Sequence, residues 1–212
     1  MEDIAAKPLA EVMSGNLVSF TADLREGAPR PDFGSFITSV LDEEGETPLS
    51  ILAVVLDVVT CPPDSIHKPS ALGLSRRELK KEQPHIFALL KTEIKAAILG
   101  YIENGRVYNH LPPRSPLVHD FVYKAGKRAV IALTDDFEYL RLLFNFSGDL
   151  PKDEILAATV RQAALNRPQT EREAYLVEAG QALCQLLRSD YERMVSVVRK
   201  IKPNPIYMSL EA

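Results

Sequence analysis

Residues 50 to 61 read SILAVVLDVVTC, a run that is apolar at nearly every position from Ile51 to Thr60, with Asp57 as the clear exception. A strand with one face in water alternates apolar and polar residues. A run without alternation is expected to be covered on both faces, or to lie centrally in a closed barrel. It is the candidate core strand.

The chain on either side supports a β reading. LAEVMSGNLVSF (9 to 20) and FGSFITSVL (33 to 41) carry β-branched and aromatic residues, and the loop DEEGETP leads into the core run. Further on, KAAILGYIENGRVYNHL (95 to 111) places Asn104-Gly105 between two alternating segments. Both central residues of a type I′ turn need positive φ, so this pair predicts a hairpin.

A helical insertion interrupts the strands. In LGLSRRELKKEQPHIFALLKTE (72 to 93), Ser75 and Glu78 have the spacing of a capping box. Pro84 cannot continue that helix, so a break and a second short helix from about 84 to 91 are expected.

NHLPPRSPLVHDFVY (109 to 123) holds Pro112, Pro113 and Pro116 around Arg114. Such a stretch can be a polyproline ligand or a corner between strands. Its position directly after a predicted strand, running into an alternating segment from Leu117 to Tyr123, favours the corner.

From residue 134 the period becomes helical. Thr134 is expected to cap DDFEYLRLLFNFSG, Pro151 to open PKDEILAATVRQAALNR, and Thr170 with Glu173 to cap a terminal helix reaching Lys202. That helix would be on the order of 45 Å long, more than a small barrel can cover, which leaves part of its apolar stripe for a partner. Leu183, Leu187, Met194 and Val198 are the candidate partner-binding residues.

The expected fold class is therefore α+β. A small closed antiparallel β-barrel of about six strands occupies residues 1 to 133, with a helical insertion at about 74 to 91. A C-terminal α-helical region with a long terminal helix follows over residues 134 to 212.

Composition narrows function. The chain of 212 residues has a net charge of -4, so nothing draws it as a whole to nucleic acid or an anionic membrane. No run approaches the ~18 to 20 apolar residues of a membrane span, and the first residues lack a secretory pattern, so a cytoplasmic location is expected. Cys61 and Cys184 read as two reduced, buried thiols.

Chemistry-bearing motifs are sparse. Gly126-Lys127 lacks the upstream glycine of a P-loop, and no dinucleotide fingerprint, Gly-x-Ser-x-Gly elbow, His-Glu-x-x-His or Cys-x-x-Cys occurs. His67, His85, His110 and His119 have no ligand spacing, so no metal and no cofactor is expected. Asp57 reads as a residue on the polar face of the barrel rather than a catalytic acid. The cations Arg76, Arg77, Lys80 and Lys81 read first as a solvated helix face, and alternatively as phosphate contacts. The second basic group, Arg199, Lys200 and Lys202, reads the same way.

The order FGSFITSV, LAVVLDVVT, AAILGYIENGRV and PPRSPLVHDFVY resembles the HAS-barrel, the small β-barrel of HerA translocases and of the N-terminal crown of ATP synthase headpiece subunits. With its helical insertion and helical C-terminal region, the chain is similar to small standalone cyanobacterial proteins carrying this barrel. The resemblance implies ring assembly and partner docking. Nucleotide chemistry in that family belongs to a motor, and no P-loop residue exists here to carry over. The expectation is a non-enzymatic protein-interaction or assembly module with a protein partner, self-association being possible. The alternative is a nucleic-acid-binding accessory factor of a DNA-processing complex.

Overall fold

The computed structural model describes residues 7 to 41, 46 to 61, 73 to 83, 90 to 148 and 150 to 202. Among them run the strands β1 (Ala10–Gly15), β2 (Ser19–Leu24), β3 (Phe36–Leu41), β4 (Leu49–Cys61), β5 (Lys91–Glu103), β6 (Arg106–Tyr108) and β7 (Phe121–Lys124). Their order is β2-β1-β7-β3-β4-β5-β6, and β2 pairs back onto β5. Six strands thus close an antiparallel barrel, and β6 is appended to it as the return arm of a hairpin.

The reading of Ile51 to Thr60 holds over Ile51 to Leu56, whereas Asp57 to Val59 are half-buried and Thr60 is exposed. On β4, Ile51, Ala53 and Val55 point into the barrel with Phe20, Ala22, Ile94 and Val122, while Leu52, Val54 and Leu56 join a second core beneath the helices. Over Ile51 to Leu56 both faces are dry, so that part of the strand has no alternation to show. Asp57 escapes burial through a bulge. Val55 faces Ala96 and Asp57 faces Lys95, which leaves Leu56 as the extra residue. Adding one residue exchanges the two faces, so Asp57 turns outward with Lys95 and Val58 turns in toward Ile94.

β5 serves two neighbours along one edge. Its Glu93 to Ala97 part pairs with β2, and Tyr101 to Glu103 pair with β6. Gly100 marks the change of partner, because a Cβ there would lie 2.3 Å from the carbonyl oxygen of Tyr108. The Asn104-Gly105 hairpin forms as expected, with φ of 50° and 73°.

The segment 9 to 20 holds β1, a turn and the first residues of β2. The Asn16 side chain accepts from the amides of Val18 and Ser19 at 2.8 and 3.0 Å, an Asx turn that reverses the chain. The Pro-rich stretch is a corner between β6 and β7. Pro112 and Pro116 are buried. Arg114 donates to the carbonyl of Thr47 at 2.7 Å and pairs with Glu46. Regular strand begins only at Phe121, because His119 takes φ of 78°.

The insertion contributes α1 (Arg76–Glu82), opened by the expected capping box. The second helix expected from Pro84 lies largely outside the described residues, and Lys91 already belongs to β5.

Helix begins earlier than residue 134. The helices are α2 (Lys127–Thr134), α3 (Glu138–Asn145), α4 (Lys152–Leu165), α5 (Gln169–Leu186) and α6 (Tyr191–Ile201). Thr134 ends a helix instead of capping one. Its hydroxyl donates to the Val130 carbonyl at 2.7 Å, and the turn into α3 is made by Phe137 at φ 61°. Pro151 does open α4, its carbonyl accepting from Glu154 and Ile155.

The terminal helix is two helices. Pro168 precedes α5, so Thr170 lies inside the first turn and no side chain caps it. The chain leaves α5 after Leu186, and Asp190 caps α6 by accepting from the Arg193 amide at 3.1 Å. Folding the second half back lets α5 and α6 both cover α4, whose residues Ile155 to Val160, Ala163 and Ala164 are buried. One unbroken rod would bury only part of the same stripe. Gly34 joins this layer to the barrel: at φ 77°, its missing side chain would meet the Ala158 backbone at 2.7 Å.

Candidate interaction surface

The residues expected to meet a partner lie within the chain's own core. Leu183 and Leu187 are buried, and Met194 and Val198 are half-buried against the same cluster. The fold-back of α6 puts them there.

The basic group of the insertion is arranged differently. Arg77, Lys80 and Lys81 are exposed on α1, interleaved with Glu78 and Glu82. Bonds from the Ser75 hydroxyl region and backbone hold the Glu78 carboxyl below its ordinary range. The α1 backbone is described at Arg76, but its side chain is not.

Of the histidines, His110 rests edge-on against Tyr101 and Tyr108, at 5.3 and 5.8 Å between ring centroids. His119 pairs with Glu11 at 2.5 Å. His67 and His85 lie outside the described residues. Cys184 is a half-buried free thiol. Among the described residues no group of three or more His, Cys, Asp or Glu gathers into a metal-ligand set, and no helix is long and apolar enough to cross a membrane.

The deepest polar cluster is structural. Arg167, buried on the underside of the helices, donates to Thr134 Oγ1 at 3.0 Å, the Ala163 carbonyl at 3.1 Å and Asp135 at 2.6 Å. Its neighbour Tyr175 shares a 2.8 Å hydrogen bond with Tyr139. Burial pushes both phenols above their ordinary value, Tyr139 the further. The cluster ties α2, α3, α4 and α5 together.

A different surface stands out. Met13, Leu17, Val18, Leu117 and Val118 are 42%, 46%, 44%, 45% and 52% exposed, although each is a large apolar side chain. Two distant segments bring them to one end of the barrel. The amide of Val12 donates to Asp120 and the amide of His119 donates to Val12, both at 2.9 Å. The same crossover continues past Gly15, where an added Cβ would lie 3.0 Å from Pro116. Met13 follows the inward-facing Val12 and so points outward, and it is the extra residue of a bulge between Val12 facing Ala22 and Ser14 facing Thr21. The Glu11–His119 pair borders the surface. Sequence reasoning missed this surface, because Leu17-Val18 and Leu117-Val118 read as parts of extended segments.

No protein-family model matches the chain, and no curated protein matches it as a relative. Geometry alone therefore bears on function.

Proposed function

We propose that the chain is a non-enzymatic protein-interaction or assembly module built on a barrel of the HAS-barrel kind, which docks a folded protein partner on the surface formed by the β1–β2 turn and the Pro-rich crossover. The observation that carries this reading is the gathering of Met13, Leu17, Val18, Leu117 and Val118 at one barrel end. Clustered apolar exposure of this kind marks association surfaces, whereas scattered exposure does not. Closure of the barrel removes the sheet edges through which unwanted association would otherwise proceed.

The competing reading is nucleic-acid binding through α1, favoured by exposed Arg77, Lys80 and Lys81. The interleaved Glu78 and Glu82 weaken its potential, and the net charge opposes it.

The test uses the full chain to isolate a stoichiometric partner, which is then purified and titrated against wild type and the Leu117→Asp/Val118→Asp variant. Loss of roughly a hundredfold in affinity, with an unchanged melting temperature, supports the docking surface. Undiminished affinity sinks it, as does turnover of ATP or nucleic acid that a point substitution abolishes. Binding to DNA that collapses with salt and with Arg77→Glu/Lys80→Glu would transfer the function to α1.

A further inference from the structure

We propose that the cleft where the barrel meets the helices binds a small organic anion, a phosphate or carboxylate carried on an apolar body. The cleft has a volume of about 380 Å³ and lies between the loop before β3, the end of β7 and the last turns of α4. That volume is within the ~300 to 1,000 Å³ of ordinary small-ligand sites.

Its walls divide by chemistry. The base is closed by buried apolar residues, Leu9, Phe36, Ile37 and Ala125. Pro29, Pro31 and Leu165 line its mouth, and Leu165 is 54% exposed at the end of α4 with no apolar partner needed by the fold. This supplies a surface for a flat or branched hydrocarbon group. Gln162 and Asn166 add polar side chains from α4.

The rim is cationic. Arg30, Lys124 and Lys127 are among the residues lining the cleft, where Asp32 is the one carboxylate. Three positive groups against one negative leave an excess of two. Neither lysine forms an ion pair among the described residues, and Arg30 donates to the neutral hydroxyl of Thr60 at 2.9 Å. Some cations elsewhere on the surface pair with carboxylates, as Arg193 does with Asp153 and Lys200 with Glu154, while others do not. Like charges gathered without counter-charge repel one another, so an anion placed among them relieves a cost as well as gaining attraction. The first turn of α2 adds to the same field, since it holds basic residues and no acid. The larger groove between α3 and α5 instead mixes Asp136, Glu138 and Glu178 with Arg141 and Arg188.

This site is independent of the docking surface at the barrel end, and its test stands apart from the partner experiment. Phenyl phosphate and benzoate are titrated into the isotopically labelled full chain, with inorganic phosphate and phenol as separate arms, while backbone amide shifts are followed. The expected result is saturable binding of phenyl phosphate or benzoate, with shifts concentrated at Lys124 to Arg128 and Gln162 to Asn166. Which of the two binds more tightly separates a phosphate from a carboxylate ligand. The variant Lys124→Glu/Lys127→Glu should weaken binding about tenfold or more, and Arg77→Glu/Lys80→Glu should leave it unchanged. No saturation by about 10 mM overturns the proposal, as that would leave less than a few kcal/mol of affinity. So does phenol binding as tightly as the anions, or an equal loss in both variants, which would mean diffuse attraction to basic surface.

Discussion

The guanidinium carbon of Arg167 lies 3.6 Å from the centroid of the Tyr175 ring, and the same side chain reaches Thr134 and Asp135 across the helical layer. One cation therefore holds the end of α2, the turn into α3 and the middle of α5 on the end of α4. Its side chain is 5% exposed while that of Asp135 is 62% exposed. The stability it confers thus comes from the buried hydrogen bonds and ring contact more than from the ion pair.

Arg167→Ala is expected to cost about 2 to 4 kcal/mol, since it removes the ring contact and leaves a helix junction without its donors. Arg167→Lys should recover little, because an ammonium cannot span Thr134, Asp135 and Ala163 at once. Urea unfolding read by midpoint at constant slope measures both. A cost within ~0.5 kcal/mol, ordinary for surface substitutions, would show that the cluster is ornamental to stability.

The Tyr139–Tyr175 pair predicts alkaline sensitivity. Burial raises both phenols above their unfolded value of about 10. Above that value the unfolded chain releases protons that the folded chain retains, so νU is less than νN and stability falls with rising pH. Stability should be flat in this respect below about pH 10 and decline above it. Tyr139→Phe should reduce the decline at a cost of about 1 kcal/mol near neutrality. Denaturant titrations at several alkaline pH values, with phenolate absorbance as a second probe, provide the check.

Gly34→Ala tests the joint between barrel and helices. The residue has φ of 77°, and a Cβ would come within 2.7 to 2.9 Å of the backbone at Ala158 and Thr159. Conformational strain and a clash with backbone that cannot rotate away combine, for an expected loss of about 2 to 4 kcal/mol. Amide exchange at Ala158 and Thr159 should quicken more than exchange within the barrel. Uniform quickening would mean that the two layers unfold as one unit.

Asp190→Ala addresses the break between α5 and α6. Removing the cap that accepts from Arg193 should cost about 1 kcal/mol. Arg193 also bonds Asp153 on α4 at 2.7 Å, so the variant should loosen α6 specifically. Faster exchange confined to Tyr191 to Ile201 is the expected signature, and an unchanged melting temperature would count against the cap.

Much of the architecture was legible where a local rule and the tertiary environment agree. The Asn104-Gly105 hairpin and the Ser75–Glu78 capping box need only a few neighbouring residues to form, and both do. The helix ends went astray where two local solutions compete. Thr134 can cap a following helix or bond back to its own turn, and the buried Arg167 beside it favours the second arrangement. Thr170 had the right spacing to Glu173, yet Pro168 starts the helix two residues sooner.

The candidate surface was less legible, because exposure is a property of the whole fold. Leu183 and Met13 carry the same hydrophobic signal in the sequence. One is buried under a helix that folds back, and the other lies on the outward face of β1.

By itself the sequence determined the α+β class, the core strand with two dry faces and the turn at Asn104-Gly105, since periodicity and turn chemistry act over a few residues and leave their mark in order along the chain. Only the tertiary structure decided that β2 closes on β5, that α6 returns onto α4, and that Leu117 arrives beside Met13. Those contacts join residues far apart in sequence, where the energy comes from burying surface that each segment would expose when alone.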